Sequence, residues 1–265
     1  MSHRIIFSIS SDFGFALAKD WLEKGFQVSG TYNTPSAKVD YLLGKGATLV
    51  KTNFLNKDEI DIACEQLSYV AWDVLCLAPA TLNPIGKFVE IEIDEWEKSI
   101  YLNFIAQMRA IHRMDAAKNT KNQEYPIILL FAGGGTNSAT NNYSAYTVSK
   151  IAQIKMAELL DSELRDTRIT IIGPGWVKTK IHNETINAGK KAGENYTITK
   201  EKLSDISITS LEDVVDCCNW AIACKKEVIS GRNISLVYDS WRDEEFGNYL
   251  LNDSNLFKLR RFGNI

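Results

Sequence analysis

Apolar residues fall in short, mostly continuous runs, separated by longer stretches in which they recur every three or four positions. The runs at 4–9, 27–32, 48–51, 74–77, 126–131, 168–172 and 233–237 read as strands buried on both faces. The segments 15–24, 36–45, 56–67, 94–118, 143–165 and 211–224 carry helical periodicity. This alternation predicts right-handed crossovers. The expected fold is α/β: a doubly wound parallel sheet of Rossmann type, in a three-layer α/β/α arrangement. No repeat or low-complexity linker interrupts it, so residues 1–238 are expected to form one domain. Two segments fall outside the alternation. Residues 180–209 are polar and weakly periodic, which predicts a mobile lid after the sixth strand. Residues 239–265 form a tail. Its Trp241, Phe246, Leu250, Leu251, Phe257 and Phe262 predict docking on the body or on a partner subunit.

Composition narrows the function classes. Of 265 residues, 45% are hydrophobic and 24% charged, as in folded globular chains. A net charge of −3 argues against a general nucleic-acid binder. No apolar run approaches the roughly 20 residues that span a bilayer. Met1-Ser2-His3-Arg4-Ile5 runs straight into a strand pattern without a secretory leader, so a cytoplasmic location is expected. Cys64, Cys76, Cys217, Cys218 and Cys224 are odd in number and lack ligand partners at metal spacing. Buried thiols are expected, with no metal.

In an open parallel sheet, ligands sit beyond the carboxyl ends of the strands. The first exit loop carries Ser8, Ser10, Ser11, Asp12, Phe13 and Gly14, then a helix start. Small residues and a helix N-terminus suit a pyrophosphate, and an ordinary cap by Ser10, Ser11 or Asp12 is the competing reading. The second strand ends at Thr31-Tyr32-Asn33, with no acid to take two ribose hydroxyls. Asn33, Ser36 and Lys38 suit a 2′-phosphate and point to NADP(H) over NAD(H). Asn33 as a plain turn residue is the alternative.

Tyr146-Thr-Val-Ser-Lys150 places a phenol and an ammonium on one helix face. Hydride transfer to a carbonyl needs a matching proton. A phenol near pKa 10 is a poor acid–base group until a cation favours its phenolate. The spacing alone recurs at Tyr41 with Lys45 and at Tyr196 with Lys200. Position separates them. Tyr146 opens a helix just past the Gly133-Gly134-Gly135 loop, at the carboxyl end of the predicted sheet.

Tyr143-Ser-Ala-Tyr146-Thr-Val-Ser-Lys150 resembles the active-site motif of the short-chain dehydrogenase/reductase family. Ile172-Gly-Pro174-Gly175-Trp176-Val177-Lys-Thr179 resembles that family's nicotinamide loop. The resemblance spans residues 4 to 238 and implies an NAD(P)-dependent oxidoreductase. It implies that Tyr146 is the acid–base residue, that Lys150 lowers its pKa and holds ribose, and that Asn103 positions a relay water. It further implies cofactor contacts at Ala78, Pro79, Ala80, Pro174, Gly175, Val177 and Thr179, and at Asn53 and Phe54 near adenine. A homodimer or homotetramer follows, with the Asn103 and Tyr146 helices at an interface.

The chain departs from the family pattern in places. Ser8 and Asp12 stand where glycines are usual. The catalytic serine, about thirteen residues before the tyrosine, is replaced by Ala132 and Gly133, with Thr136 and Ser138 the nearest hydroxyls. Lys178, Lys180, His182, Lys190 and Lys191 suit a phosphate-bearing substrate, or are a solvated basic surface. The tail is similar to members acting on surface glycans. That resemblance implies a sugar or nucleotide-activated sugar, such as a CMP-nonulosonate, being reduced or epimerised. The alternative function is a non-catalytic dinucleotide-binding redox sensor. In either case the partner is a small molecule, not nucleic acid or membrane.

Overall fold

The computed structural model describes residues 2–122, 124–135, 137–205 and 207–261. Seven parallel strands form one sheet: β1 (His3–Phe7), β2 (Gln27–Tyr32), β3 (Thr48–Lys51), β4 (Val74–Leu77), β5 (Ile127–Phe131), β6 (Arg168–Gly173) and β7 (Arg232–Ser235). Their order is β3-β2-β1-β4-β5-β6-β7. The chain winds outward from β1 to β3, then crosses back to place β4 on the other side of β1. The reversal opens a crevice between the exit loops of β1 and β4, the usual ligand position in such sheets.

Alternation within the strands sends side chains into two cores. Ile6, Cys76, Leu129 and Phe131 pack on one face with α1 (Asp12–Glu23) and the later helix Leu211–Ala223. Ile5, Phe7, Leu75, Leu77, Ile128 and Leu130 pack on the other, against α3 (Lys57–Leu67), and the helices near residues 106–114 and 144–163. A one-residue slip would exchange the two sets, so both cores fix the register. Helix starts follow their caps. Ser11, Ser36 and Asn56 accept from backbone amides at the starts of α1, α2 (Ala37–Gly44) and α3.

The predicted helix over 94–118 is interrupted. It divides into α4 (Ile93–Ile100), a π-helical turn over Tyr101–Ile105, and α5 (Ala106–Met114). The turn is centred on buried Asn103. Its amide accepts from the Thr81 amide at 2.9 Å and donates to the Thr81 carbonyl at 2.9 Å. This clamp to a remote loop accounts for the local widening. Next in order come α6 (Ser144–Glu163), α7 (His182–Ala188), α8 (Glu194–Ser204), α9 (Leu211–Ala223), α10 (Lys226–Ile229) and α11 (Phe246–Asn252).

The segment 180–209, expected as a polar and weakly periodic lid, contains α7 and α8. The tail packs on the body. Trp241, Phe246 and Leu250 are buried against the α1–α9 face. The Arg232 guanidinium ties the tail down by donating to the carbonyls of Leu250, Asp253 and Leu256. Leu251 points outward, and Phe262 lies outside the described residues. All five cysteines are free. Among the described residues no helix is long and apolar enough to cross a membrane.

Candidate active site

The carboxyl ends of β1, β4, β5 and β6 bring most of the predicted site residues to one edge of the sheet. Ser8 follows β1 at a φ of 65°, the left-handed region that usually favours glycine. Its amide donates to Thr31 Oγ1, and its carbonyl accepts from the Ser11 amide. Ser11 then caps α1 by accepting from the Gly14 amide at 3.0 Å. Gly14 is a close-packing glycine: a Cβ there would stand 2.5 Å from the Ser8 carbonyl oxygen. The amides of Asp12 and Phe13 at the helix start bond no described protein atom, and they face where an anion would sit. These features fit the pyrophosphate of a dinucleotide. Asp12 is the discordant element. Its carboxylate is engaged by Lys38 and by the Lys180 amide. Burial works against its charge, but these partners win and hold it below the usual carboxylate range.

Other predicted cofactor residues are placed unevenly. Ser10 and Phe13 are half-buried at the loop, with the Phe13 ring 5.0 Å from that of Phe131. Asn33 is exposed beyond β2, and Ser36 is used as the α2 cap. Asn53 stays near the surface, its amide donating to Glu59. Phe54 does not: it is 6% exposed and packs edge-on against Phe7, so its ring belongs to the core and is not available to an adenine. Ala78, Pro79 and Ala80 leave β4, with Ala78 bonded back to Phe7. Pro174 and Val177 are buried after β6. Between them Gly175 takes a φ of 70°, and Thr179 bonds the start of the lid through its carbonyl.

Tyr146 and Lys150 lie on the first turns of α6, beside the β5 exit loop. The ammonium is 5.8 Å from the phenol ring centroid. The Tyr41–Lys45 and Tyr196–Lys200 pairs have nearly the same geometry, 5.7 Å and 5.6 Å. Spacing therefore does not distinguish the three pairs, but burial does. Lys150 is 3% exposed, whereas Lys45 and Lys200 are open to water. Burial alone pulls the Lys150 ammonium down to about 7. Burial, followed by the Glu184 carboxylate, pushes the Tyr146 phenol up to about 12, the reverse of the lowering by Lys150 that the motif predicted.

The missing serine has a structural counterpart. A Cβ built on Gly133 would lie 2.6 Å from the Tyr146 hydroxyl and ring edge, so the tyrosine fills the space a serine would need. Ser138 is exposed, and Thr136 lies outside the described residues. Asn103 touches the loop after β4 rather than Lys150. Its backbone carbonyl accepts from Gln107 Nε2 at 3.0 Å.

Two features were not anticipated. Glu184, on α7, accepts from Thr81 Oγ1 and from the amides of Leu82 and Asn83 through one oxygen, which fixes the lid on the β4 loop. Tyr143 reinforces this, its hydroxyl 2.8 Å from Thr185 Oγ1. The second feature is a pair of wholly buried glutamines, Gln107 and Gln153, beside Lys150.

A family model described as Enoyl-(Acyl carrier protein) reductase matches residues 9–236. The chain belongs to the short-chain dehydrogenase/reductase family. Among sequences, it is 22% identical over 164 residues to an uncharacterised oxidoreductase of Schizosaccharomyces pombe; the match covers 60% of this chain and 65% of that one. Among solved structures it resembles the YIR035C short-chain dehydrogenase/reductase of Saccharomyces cerevisiae. The TM-score is 0.78 at 16% identity, covering 94% of this chain and 99% of that one. An actinorhodin polyketide ketoreductase solved with NADPH gives 0.77 at 16% identity, covering 94% and 98%. At these identities the structures speak for the fold. The family binds a nicotinamide nucleotide, and the cradle at Ser8–Gly14 is compatible with one.

Proposed function

We propose that this short-chain dehydrogenase/reductase is a carbonyl reductase of small molecules that uses NADP(H) in preference to NAD(H). The observation that carries the reading is the placement of Tyr146 and buried Lys150 at the crevice edge, beside the α1 cradle. When bound, the nicotinamide supplies the hydride. Ser8, Ser10, Ser11, Phe13 and Gly14 would hold its pyrophosphate. Ala78–Ala80 and the Pro174–Thr179 loop would hold the ribose and carboxamide. Asn53 is the remaining candidate near adenine.

The chain's own residues manage the proton. Tyr146 stays a phenol throughout the neutral range, because burial and Glu184 disfavour its anion. It is thus ready to donate to a developing alkoxide, which favours the reductive direction. Lys150 stabilises the phenolate left behind. With glycine at 133, that position offers no hydroxyl to orient the carbonyl. That role falls to Tyr146 itself, with Ser138 or Thr136 from the adjoining loop.

Lys38 is the cation at hand for a 2′-phosphate, and it would exchange the Asp12 carboxylate for it. Exposed Lys178, Lys180, Lys190 and Lys191 support a phosphate-bearing substrate such as a nucleotide-activated sugar. Glu184 beside the phenol requires that such a phosphate sit away from the reacting carbon. Exposed Ile105 and Val148, on the Asn103 and Tyr146 helices, support a homodimer or homotetramer. A monomeric mass in light scattering would contradict that assembly.

The test uses C4-deuterated NADPH and NADH with a panel of diketones, ketoses and CMP-sugars, read by mass spectrometry. Deuterium at the new alcohol carbon, lost in Tyr146→Phe, supports the reading. Tight cofactor binding without transfer to any of the panel would favour a redox sensor.

A further inference from the structure

If Lys150 serves the reaction as proposed, the way it is held bears on that reaction. Its Nζ donates to the Phe131 carbonyl at 2.9 Å and to Gln153 Oε1 at 3.1 Å. Gln153 Nε2 donates to Gln107 Oε1 at 2.6 Å. Gln107 Nε2 donates to the carbonyls of Pro79, at 2.8 Å, and Asn103, at 3.0 Å. Both glutamines have no exposed surface.

The end of the chain dictates its direction. Two backbone carbonyls can only accept, so the Gln107 group facing them must be its NH2. Its oxygen then requires a donor from Gln153, which turns the Gln153 oxygen toward Lys150. Both amide dipoles thereby place their negative ends on the ammonium side. In a low-dielectric core such aligned dipoles favour the charged form of the lysine.

The surroundings make the arrangement unusual. Ala106, Ala110, Ile154 and Ala157, the neighbouring buried positions on these helices, are apolar. Buried amides are tolerated among them only when fully paired. Few other charges compete. Tyr146 is the titratable neighbour on α6. β5 offers a carbonyl, α5 offers Gln107, and the β4 loop offers the Pro79 carbonyl. The carboxylate facing the pair, Glu184 of α7, acts on Tyr146.

We propose that Gln153 and Gln107 are positioning residues that fix the Lys150 ammonium and preserve its charge. They lie between Asn103 and Lys150, where the family resemblance placed a relay water. They link Lys150 to the cofactor loop after β4 through side chains instead of solvent. Burial already draws the lysine down, and without the Gln153 oxygen the Phe131 carbonyl is the one remaining acceptor among the described residues.

The test reads the ionisation of Lys150 without substrate or cofactor. Full-length protein carrying lysine labelled with carbon-13 at Cε is titrated by NMR, the Lys150 signal being assigned with Lys150→Arg. Gln153→Met removes a hydrogen bond to a charged group, and should raise the acid dissociation constant about ten- to a hundredfold. Gln107→Met should shift it the same way by less. Gln153→Glu restores an acceptor and adds a charge, so it should return the value to wild type or carry it higher.

Unchanged titration in folded Gln153→Met overturns the proposal. If that variant does not fold, an unchanged value in Gln107→Met does so, as does a Lys150 pKa in Gln153→Glu below that of wild type. Nucleotide binding measured on the same wild-type sample separates the two claims. Absent binding would sink the reductase reading while leaving the Lys150 result to stand by itself.

Discussion

Gly133→Ser places a hydroxyl at the position the family normally uses to orient the carbonyl, and on the family pattern alone it should raise activity. The structure predicts the reverse. The new Cβ would begin 2.6 Å from the Tyr146 hydroxyl and ring edge. Regaining ordinary contact requires the phenol to retreat by roughly 0.8 Å. Tyr146 as a whole residue is partly exposed, so the side chain has room to shift. The stability loss should fall at the low end of the ~1–3 kcal/mol typical of overpacking. The reaction is less forgiving, since a displacement near 1 Å can cost about a hundredfold in rate. Calorimetry should therefore show a melting temperature only a few degrees lower, and kcat should drop about a hundredfold with cofactor affinity kept. A Gly133→Ser enzyme faster than wild type would refute the reasoning. It would mean that the phenol yields the space freely and that the site lacks only a donor.

Three further predictions follow from the charges. Lys150→Met should alter stability in a pH-dependent way. Below pH 7 the folded and unfolded chains both hold the proton, and the cost of burying the cation is fully present. Above it the folded chain releases the proton first, so wild type gains on the variant by on the order of 3–5 kcal/mol toward pH 10, seen as a changing difference in urea midpoints. A constant difference across that range would count against the buried cation. Glu184→Gln keeps an oxygen for Thr81, Leu82 and Asn83 but removes the charge facing Tyr146. The alkaline limb of the pH–rate profile should move to lower pH with KM little changed, and an unmoved limb would separate Glu184 from the phenol. Asp12→Asn keeps an acceptor for the Lys180 amide while releasing Lys38. NADPH should bind about two- to fivefold tighter, with a smaller gain for NADH; weaker binding would show that Asp12 supports the cradle.

The sheet was legible because its strands are buried on both faces and so read as apolar runs. Ile5-Ile6-Phe7 and Ile127 to Phe131 required no other information. The Tyr146–Lys150 pair was legible through its position, since its spacing is shared with two pairs of no such burial. The break at 101–105 was not legible, because it depends on Asn103 reaching Thr81, a contact made only in the folded chain. The lid helices were missed because α7 is seven residues long and polar, and its anchors lie on the β4 loop and at Tyr143 just before α6. Phe54 was assigned to the cofactor by its place after β3, but its side chain turns inward. Gln107 and Gln153 did leave a signal: polar residues on the inward stripes of two helices, one turn beyond Asn103 and nearly one turn beyond Lys150. Such a residue calls for a buried partner.

Titration of the purified protein with NADPH and with NADH, followed by nicotinamide fluorescence, tests the central claim most directly. A working cradle binds NADPH at micromolar concentration and NADH more weakly. Binding of neither would mean that Ser8 and Asp12 have closed the cradle, and the hydride-transfer reading would be contradicted.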